Sequence, residues 1–518
     1  MNTKNSDDNT ITNFTGIDAL HFAAIDSNVK TINGVAGFPV TEIIQRFIDD
    51  KDSGYISRWI TNEKTALEIA LGSSVSGKRS MVITKHVGMN VLSDPLITST
   101  THTISSGVVI ITGDDPGALA SQNEQDSRWY GNVSEIPVFD PSTPENTYIS
   151  VRQAFEISEK IKAPAIIRIT GRLTKCESKK DVNKLKKQLQ SANQKSVFDR
   201  SIWNLTMHDR HQRYHLESYP ILIKETENTG LNASVINGSD TGIISSGFPS
   251  TLVNEILNKS EYRQISHFSL NMVYPLPYDK LDEFIKNHER VLVVEESEPF
   301  IETHLYILDS IYGKKTGHIP YGKIDKKHVD FALEHLNEES IEEYTQIQTL
   351  KSRGYRGLCE GCFYIPLYQI LREFDVKVAA DMGCSILGAP EPMKAVDADF
   401  ALGSAIGTAC GFDKKGIAVI GDFGLAHSGV VSLINAVYGG FDVLVIVLQN
   451  KIAAMTGGQG TPNLTDVITA MVDDVSVYDF DNKTDEEIKK SIPELIDDKL
   501  NNPGVSVILA RGRCVKYQ

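Results

Sequence analysis

Short, unbroken apolar runs recur along the chain and are the feature that most restricts its fold. Residues 443–448 are six apolar residues in a row, and 417–420, 81–83 and 108–111 are shorter runs of the same kind. Runs of this length read as strands of a parallel sheet buried on both faces. They fall far short of the about 20 residues that a bilayer-spanning helix needs. Each is followed by a turn and a helical pattern, and a helical pattern over 151–162 leads into another apolar stretch at 165–169. Strands alternating with helices specify the α/β class with parallel sheets.

A chain of 518 residues has room for about three domains at about 150 residues each. A first α/β domain is expected over 13–172. It is followed by a Lys-, Asn- and Gln-rich linker or insert over 173–232, in which Lys179-Lys180 and Lys186-Lys187 read as a solvated face. A middle α/β domain is expected over 233–330, with strands at 242–246 and 291–294 and an acidic strand end at Glu295-Glu296. The text from 323 to 352 is charged and helical, a connector is expected over 331–356, and a third domain over 357–518. The formal charge of −15 disfavours nucleic acid and anionic membranes as partners, though not a small anionic ligand. The polar first thirteen residues carry no apolar signal region, so a cytoplasmic protein is expected. Six cysteines in this length are no disulfide framework. They read as thiols, and a clustered subset as metal ligands.

The chemistry concentrates in the last third. Strand 417–420 runs into Gly421-Asp422-Phe423-Gly424, a helix is expected over 428–438, and strand 443–448 ends in Gln449-Asn450-Lys451. Two parallel strands therefore deliver Asp422 and Asn450, 28 residues apart, to the carboxyl edge where open α/β sheets bind ligands. A carboxylate and an amide oxygen suit Mg²⁺, which takes few protein oxygens and completes its shell with phosphate oxygens. Gly421 and Gly424 leave room for a diphosphate against backbone amides near the helix start. Gly-Asp before a helix is also what a strand-ending cap looks like. With Asn450 closing the next strand, the pattern resembles the thiamine diphosphate motif.

A thiamine enzyme also needs a glutamate on the aminopyrimidine, which drives that ring to its imino form. Glu63, opening a small-residue helix, is the candidate; its other reading is a first-turn acid serving backbone donors. Glu68 lies about 140° further round the helix and faces elsewhere.

Longer strings carry a family resemblance. Asn62-Glu63-Lys64, Lys85-His86-Val87-Gly88-Met89-Asn90, Asp94-Pro95-Leu96 and the run 121–128 in the first domain resemble the large subunit of indolepyruvate:ferredoxin oxidoreductase. So do Cys359-Glu360-Gly361-Cys362, Asp381-Met382-Gly383-Cys384, His427-Ser428-Gly429 and Ala454-Met455-Thr456-Gly457-Gly458-Gln459 in the third. The resemblance implies a pyrimidine-binding domain first, a middle domain, and a diphosphate-binding domain last. It implies Gly421, Asp422, Phe423, Gly424, Asn450, Ile452 and Thr456 around the cofactor, with the Ile452 backbone oxygen as a third Mg²⁺ ligand. Two departures stand out. The first loop, Val35-Ala36-Gly37-Phe38-Pro39-Val40-Thr41-Glu42, has the ring of Phe38 where the family carries a hydroxyl expected to help hold the 2-oxoacid. The ferredoxin-like module with eight cysteines, common in the family after this point, does not follow Gln518.

Cys359 and Cys362 form a Cys-x-x-Cys, Cys384 follows a strand and turn, and Cys514 closes the last strand. Related oxidoreductases place an iron–sulfur cluster near the thiazolium on a similar set, and four thiolates are what a [4Fe–4S] cluster requires. The Cys-x-x-Cys alone is equally compatible with zinc or a dithiol pair. Cys176 and Cys410 read as ordinary thiols. His86 and His427 read either as proton donors to the reacting group or as satisfied polar residues lining the site. Arg128 reads as the clamp on a substrate carboxylate or as a salt bridge. His208, His211 and His215 lie in a polar stretch without a matching carboxylate pattern and are not read as a metal site.

The expected activity is therefore thiamine diphosphate- and Mg²⁺-dependent oxidative decarboxylation of a 2-oxoacid. Electrons would pass through a cluster to ferredoxin and the acyl group to coenzyme A, with a companion smaller subunit and a homodimer or hetero-oligomer. The rivals are a non-redox decarboxylase or carboligase, and a cofactor-binding subunit inactive without its partner.

Overall fold

The computed structural model describes residues 13–178, 180–182, 185, 198–305, 310–342, 357–481 and 483–517. Most of the lysine-rich run expected as a linker, and positions 343–352 of the expected connector, lie outside the described residues. The chain divides into two compact units, Met1–Thr349 and Leu350–Gln518.

The first unit carries two large sheets. Seven strands run in the order Met272–Tyr274, Val138–Phe139, Ala165–Thr170, Val108–Asp114, Ser80–Lys85, Thr31–Gly34, Ile56–Trp59. All pair in parallel except the first, which lies antiparallel to Val138–Phe139. The apolar runs at 81–83 and 108–111 are fully buried in its centre, because helices cover both faces and no position of such a strand meets water. The second sheet follows the order Ile311–Tyr312, Arg290–Val294, Thr241–Ser246, Ser266–Leu270, Ala233–Val235. The expected division between first and middle domains does not separate the sheets cleanly. Met272–Tyr274 leaves the middle region and closes the edge of the first sheet, where three buried residues fill a place left by the two-residue strand Val138–Phe139.

Helix starts follow local chemistry. The Asn62 side chain caps Glu63–Val75 through the Thr65 amide at 3.3 Å, and Thr143 with Pro144 opens Pro144–Ile161, both favoured N-terminal arrangements. The expected helix at 151–162 thus begins seven residues earlier.

The second unit is built on a five-stranded all-parallel sheet in the order Val378–Ala380, Gly416–Gly421, Val443–Gln449, Val505–Arg511, Asp474–Asp479, with a small antiparallel pair, Ile452–Ala453 and Gln459–Gly460, beside it in sequence. One face packs on Leu367, Ile370, Ile488, Ile492 and Ile496 from helices Ile365–Leu371 and Asp485–Asn501. The other packs on Ile406, Ala409, Leu433 and Ala436 from Ala405–Ala409 and Val430–Tyr438. The sheet is therefore covered on both sides, and only its ends are open to a ligand. No described helix is long and apolar enough to cross a membrane.

Candidate functional site

On the second unit, register decides what reaches the sheet's carboxyl edge. Gly421 pairs with Leu448, so Asp422 and Asn450 both leave the sheet within two residues of that pair. Asp422 is buried, and its carboxylate accepts the amides of Phe423 at 2.8 Å and Lys451 at 2.6 Å. Burial pushes this carboxyl up to about 6 against those amide bonds. The Asn450 carboxamide oxygen accepts the Ile452 amide at 3.1 Å. The Thr461 hydroxyl lies beside Asp422. A buried carboxylate, an amide oxygen and a neighbouring hydroxyl are oxygen donors of the kind a hard divalent cation takes. Thr456 closes the adjoining loop, with its hydroxyl donating to Gln459 at 3.0 Å.

The two loop glycines have different reasons. A Cβ on Gly421 would meet nothing within 4 Å, which leaves its face open to a ligand. A Cβ on Gly424 would lie 1.8 Å from the Asp381 carboxylate. Asp381 is the residue the sequence reading did not single out. Fully buried beneath the loop, it accepts the amides of Gly421 at 3.3 Å and Gly403 at 3.2 Å, and burial pushes its carboxyl up to about 7. Gly424 is thus required by packing against Asp381, not by the diphosphate alone. Its only sequence signal was a place in the string 381–384. His427 sits on a π-helical turn, Leu425–Gly429, with Nδ1 3.1 Å from the Ser428 hydroxyl.

The four cysteines converge. Cys359, Cys362, Cys384 and Cys514 line one cavity of about 80 Å³, together with Asn450 and Met455. Gly361 takes a left-handed conformation, φ +71°, so the turn between Cys359 and Cys362 folds back with a 3.1 Å hydrogen bond from the Cys362 amide to the Cys359 carbonyl. Burial, reinforced by the neighbouring thiols, pushes Cys384 up to about 12 and raises Cys362. All four are free thiols. No three of them have sulfurs within 4.8 Å of one another, whereas a tetrahedral zinc would hold its thiolates about 3.8 Å apart. Four thiols lining one cavity are the number of ligands a [4Fe–4S] cluster takes.

On the first unit, the carboxyl ends of the central strands gather a different set. Glu63 is buried at the first position of its helix, and a Cβ on Gly88 would lie 2.6 Å from its carboxylate oxygen. Glu68 is exposed, as expected from the helical angle. Lys85 opens the string 85–90. Its ammonium reaches Gln122 at 2.8 Å, and burial lowers its pKa to about 8 against the opposing pull of Asp115 and Glu63. Phe38 is part exposed, and its ring tip stands 2.9 Å from where a Cβ on Gly171 would be.

The surroundings favour the satisfied polar residue for His86 and a salt bridge, buried rather than at the surface, for Arg128. It is fully buried, with its guanidinium spent on Asp126 at 2.5 and 2.9 Å, Glu295 at 2.7 Å and the carbonyls of Glu296 and Glu298. With every donor satisfied inside the unit, the guanidinium ties the Asp126 turn to the acidic strand end at Glu295. His86 is likewise buried, with Nδ1 3.3 Å from the Gly113 carbonyl and Nε2 3.2 Å from Asn123, which is the satisfied polar residue rather than a free proton donor.

Residues 392–486 match the family model of the thiamine pyrophosphate enzyme C-terminal TPP binding domain. Over 97% of this chain and 85% of the relative, the sequence is 30% identical to the indolepyruvate oxidoreductase subunit IorA of Pyrococcus horikoshii. It is 29% identical to that of Archaeoglobus fulgidus, over 96% and 86%. Among solved structures, a 2-oxoglutarate:ferredoxin oxidoreductase from Magnetococcus marinus is similar with a TM-score of 0.48 and 15% identity, over 58% of this chain and 61% of that one.

Proposed function

Because the chain belongs to the family of indolepyruvate oxidoreductase IorA subunits, thiamine diphosphate-dependent 2-oxoacid:ferredoxin oxidoreductase subunits, we propose that it oxidatively decarboxylates an aryl 2-oxoacid such as indolepyruvate. The acyl group would pass to coenzyme A, and electrons would leave through a cluster on Cys359, Cys362, Cys384 and Cys514 to a ferredoxin. A companion subunit, as the relatives' name implies, completes the enzyme. The observation that carries the redox reading is the convergence of the four thiols on a cavity that Asn450 also lines.

When bound, thiamine diphosphate supplies the nucleophilic carbon and the electron sink for decarboxylation. The residues of this chain do the rest. Asp422 and Asn450, with the Ile452 carbonyl, would hold the Mg²⁺ that accompanies the diphosphate. The open face of Gly421 would leave room for phosphate oxygens, and Asp381 fixes the amides of Gly421 and Gly403. Glu63 would exchange a proton with the aminopyrimidine, and the Lys85 ammonium lies close enough to interact with that carboxylate. His427, on the turn after Asp422, would be the residue to hold or move a proton there. The Phe38 ring, standing where the family carries a hydroxyl, would change which 2-oxoacid is accepted.

Iron and acid-labile sulfide measured on protein purified without oxygen test the redox reading. About four irons per chain are expected, lost in a Cys359→Ser/Cys362→Ser variant. Absence of iron from protein that still binds thiamine diphosphate would replace the reading by a non-redox decarboxylase or carboligase. Glu63→Gln is expected to abolish turnover while leaving cofactor binding within about tenfold, since it removes a proton transfer rather than the diphosphate anchor. Retained turnover would remove Glu63 from the mechanism.

A further inference from the structure

Three ligand-type side chains meet on the first unit away from Glu63 and Lys85. Glu135 follows the helix Trp129–Ser134 in a left-handed conformation, φ +56°. His211 lies on helix Met207–Arg213, and His215 on the π-helical turn Tyr214–Ser218 that continues it. The His215 Nε2 is 2.8 and 2.7 Å from the two Glu135 carboxylate oxygens, and the His211 Nε2 is 3.2 Å from the second of them. The two rings are 4.4 Å apart between centroids. The three ligand atoms lie within 4.8 Å of one another, and theirs is the one such grouping of histidine, cysteine and carboxylate groups among the described residues.

The surroundings hold this arrangement in place. Residues four apart on a helix are neighbours on one face, so His211 and His215 present a common edge. Between them in sequence, Tyr214 is fully buried and donates its hydroxyl to the Glu135 backbone carbonyl at 2.7 Å. The turn that bears the imidazoles therefore also fixes the backbone that bears the carboxylate. Both Nε2 atoms aim at the same carboxylate oxygen, so the groups share one focus rather than forming separate ion pairs. Around a tetrahedral zinc, with metal–ligand bonds near 2.0–2.1 Å, such atoms stand about 3.3 Å apart. The His211–Glu135 separation already matches, and His215 needs to retreat by about half an ångström.

We propose that Glu135, His211 and His215 bind a divalent transition ion of the zinc type. The ion fastens the segment from about 198 to 228 to the corner that follows Trp129–Ser134. Two imidazoles and one carboxylate suit zinc. The side chains are 30–51% exposed, so the fourth position faces solvent and takes water. Sequence spacing hid the site because Glu135 is 76 residues from His211. The inference is independent of the thiamine chemistry, since none of its residues belongs to that site.

The test is Zn²⁺ binding to the full chain, compared with His211→Ala/His215→Ala and with Glu135→Gln, which keeps the side chain's size. Because four free thiols can compete for zinc, Co²⁺ spectra accompany the titration. The wild type is expected to bind one more equivalent than the double-histidine variant, at micromolar affinity or tighter, without a thiolate-to-cobalt band for that equivalent. Glu135→Gln is expected to weaken that equivalent by at least the about 10–100-fold lost when an outer-shell partner is removed. Added Zn²⁺ should raise the melting temperature of the wild type and leave the histidine variant unchanged. Equal zinc uptake and equal melting shifts in all three folded proteins would overturn the site, as would millimolar affinity in the wild type.

Discussion

Single residues in this chain act through what burial does to their charge. Arg128 shows the contrast between a binding role and a structural one. A guanidinium that clamps substrate would, when removed, raise KM in a folded enzyme. A buried one leaves Asp126 and Glu295 uncompensated, and loss of one partner of a buried pair costs about 3–5 kcal/mol. Arg128→Ala is therefore expected to lower the stability of the first unit by that amount, read by chemical denaturation. An unchanged midpoint with a raised KM would restore the substrate role. Asp422 is governed by the same physics with the opposite outcome. Burial raises its carboxyl to about 6, and only the carboxylate binds Mg²⁺. Above about pH 6 the group is ionised and binding is pH-independent. Below it, Mg²⁺-dependent thiamine diphosphate affinity should fall about tenfold per pH unit. A flat profile down to pH 5 would show that another group anchors the cation. These environments were illegible in the sequence: Arg128 and Asp422 were both visible as candidates, but burial decides their roles, and it comes with partners such as Glu295, 167 residues from Arg128, and with backbone amides around Asp422.

At the level of elements, the strands were legible because their apolar runs are continuous. The expected strands at 81–84, 108–111, 417–420 and 443–448 all fall inside observed ones, and burial on both faces leaves no other use for such runs. The helix after Asp422 was legible only from 428 onward. The structure begins its turns at Asp422–Gly424 and passes through a π turn, Leu425–Gly429, before Val430–Tyr438. Gly421, Gly424 and Gly429 weaken helix propensity there, while tertiary packing on Asp381 requires the small residue. That packing predicts that Gly424→Ala, whose Cβ would stand 1.8 Å from the Asp381 carboxylate, destabilises the second unit by about 1–3 kcal/mol through overpacking.

Across the whole molecule, the two units have their own cores. Scanning calorimetry of the full chain should then show Arg128→Ala and Gly424→Ala lowering different transitions. If both shift a single shared transition, the units unfold together and the division is one of contacts only. By itself, the sequence determined the α/β class, the strand centres, the Gly-Asp and Asn at two strand ends, and the membership that long strings such as 85–90 and 381–384 carry. Those are local properties, set by hydrophobic period and by residues close in the chain. Only the tertiary structure decided that four cysteines spread from 359 to 514 share one cavity, that Arg128 is consumed internally, that Met272–Tyr274 crosses to the first sheet, and that Glu135 meets His211 and His215. Each of these joins residues distant in sequence. Spacing carries no signal for such pairs, because sheet register and burial bring them together.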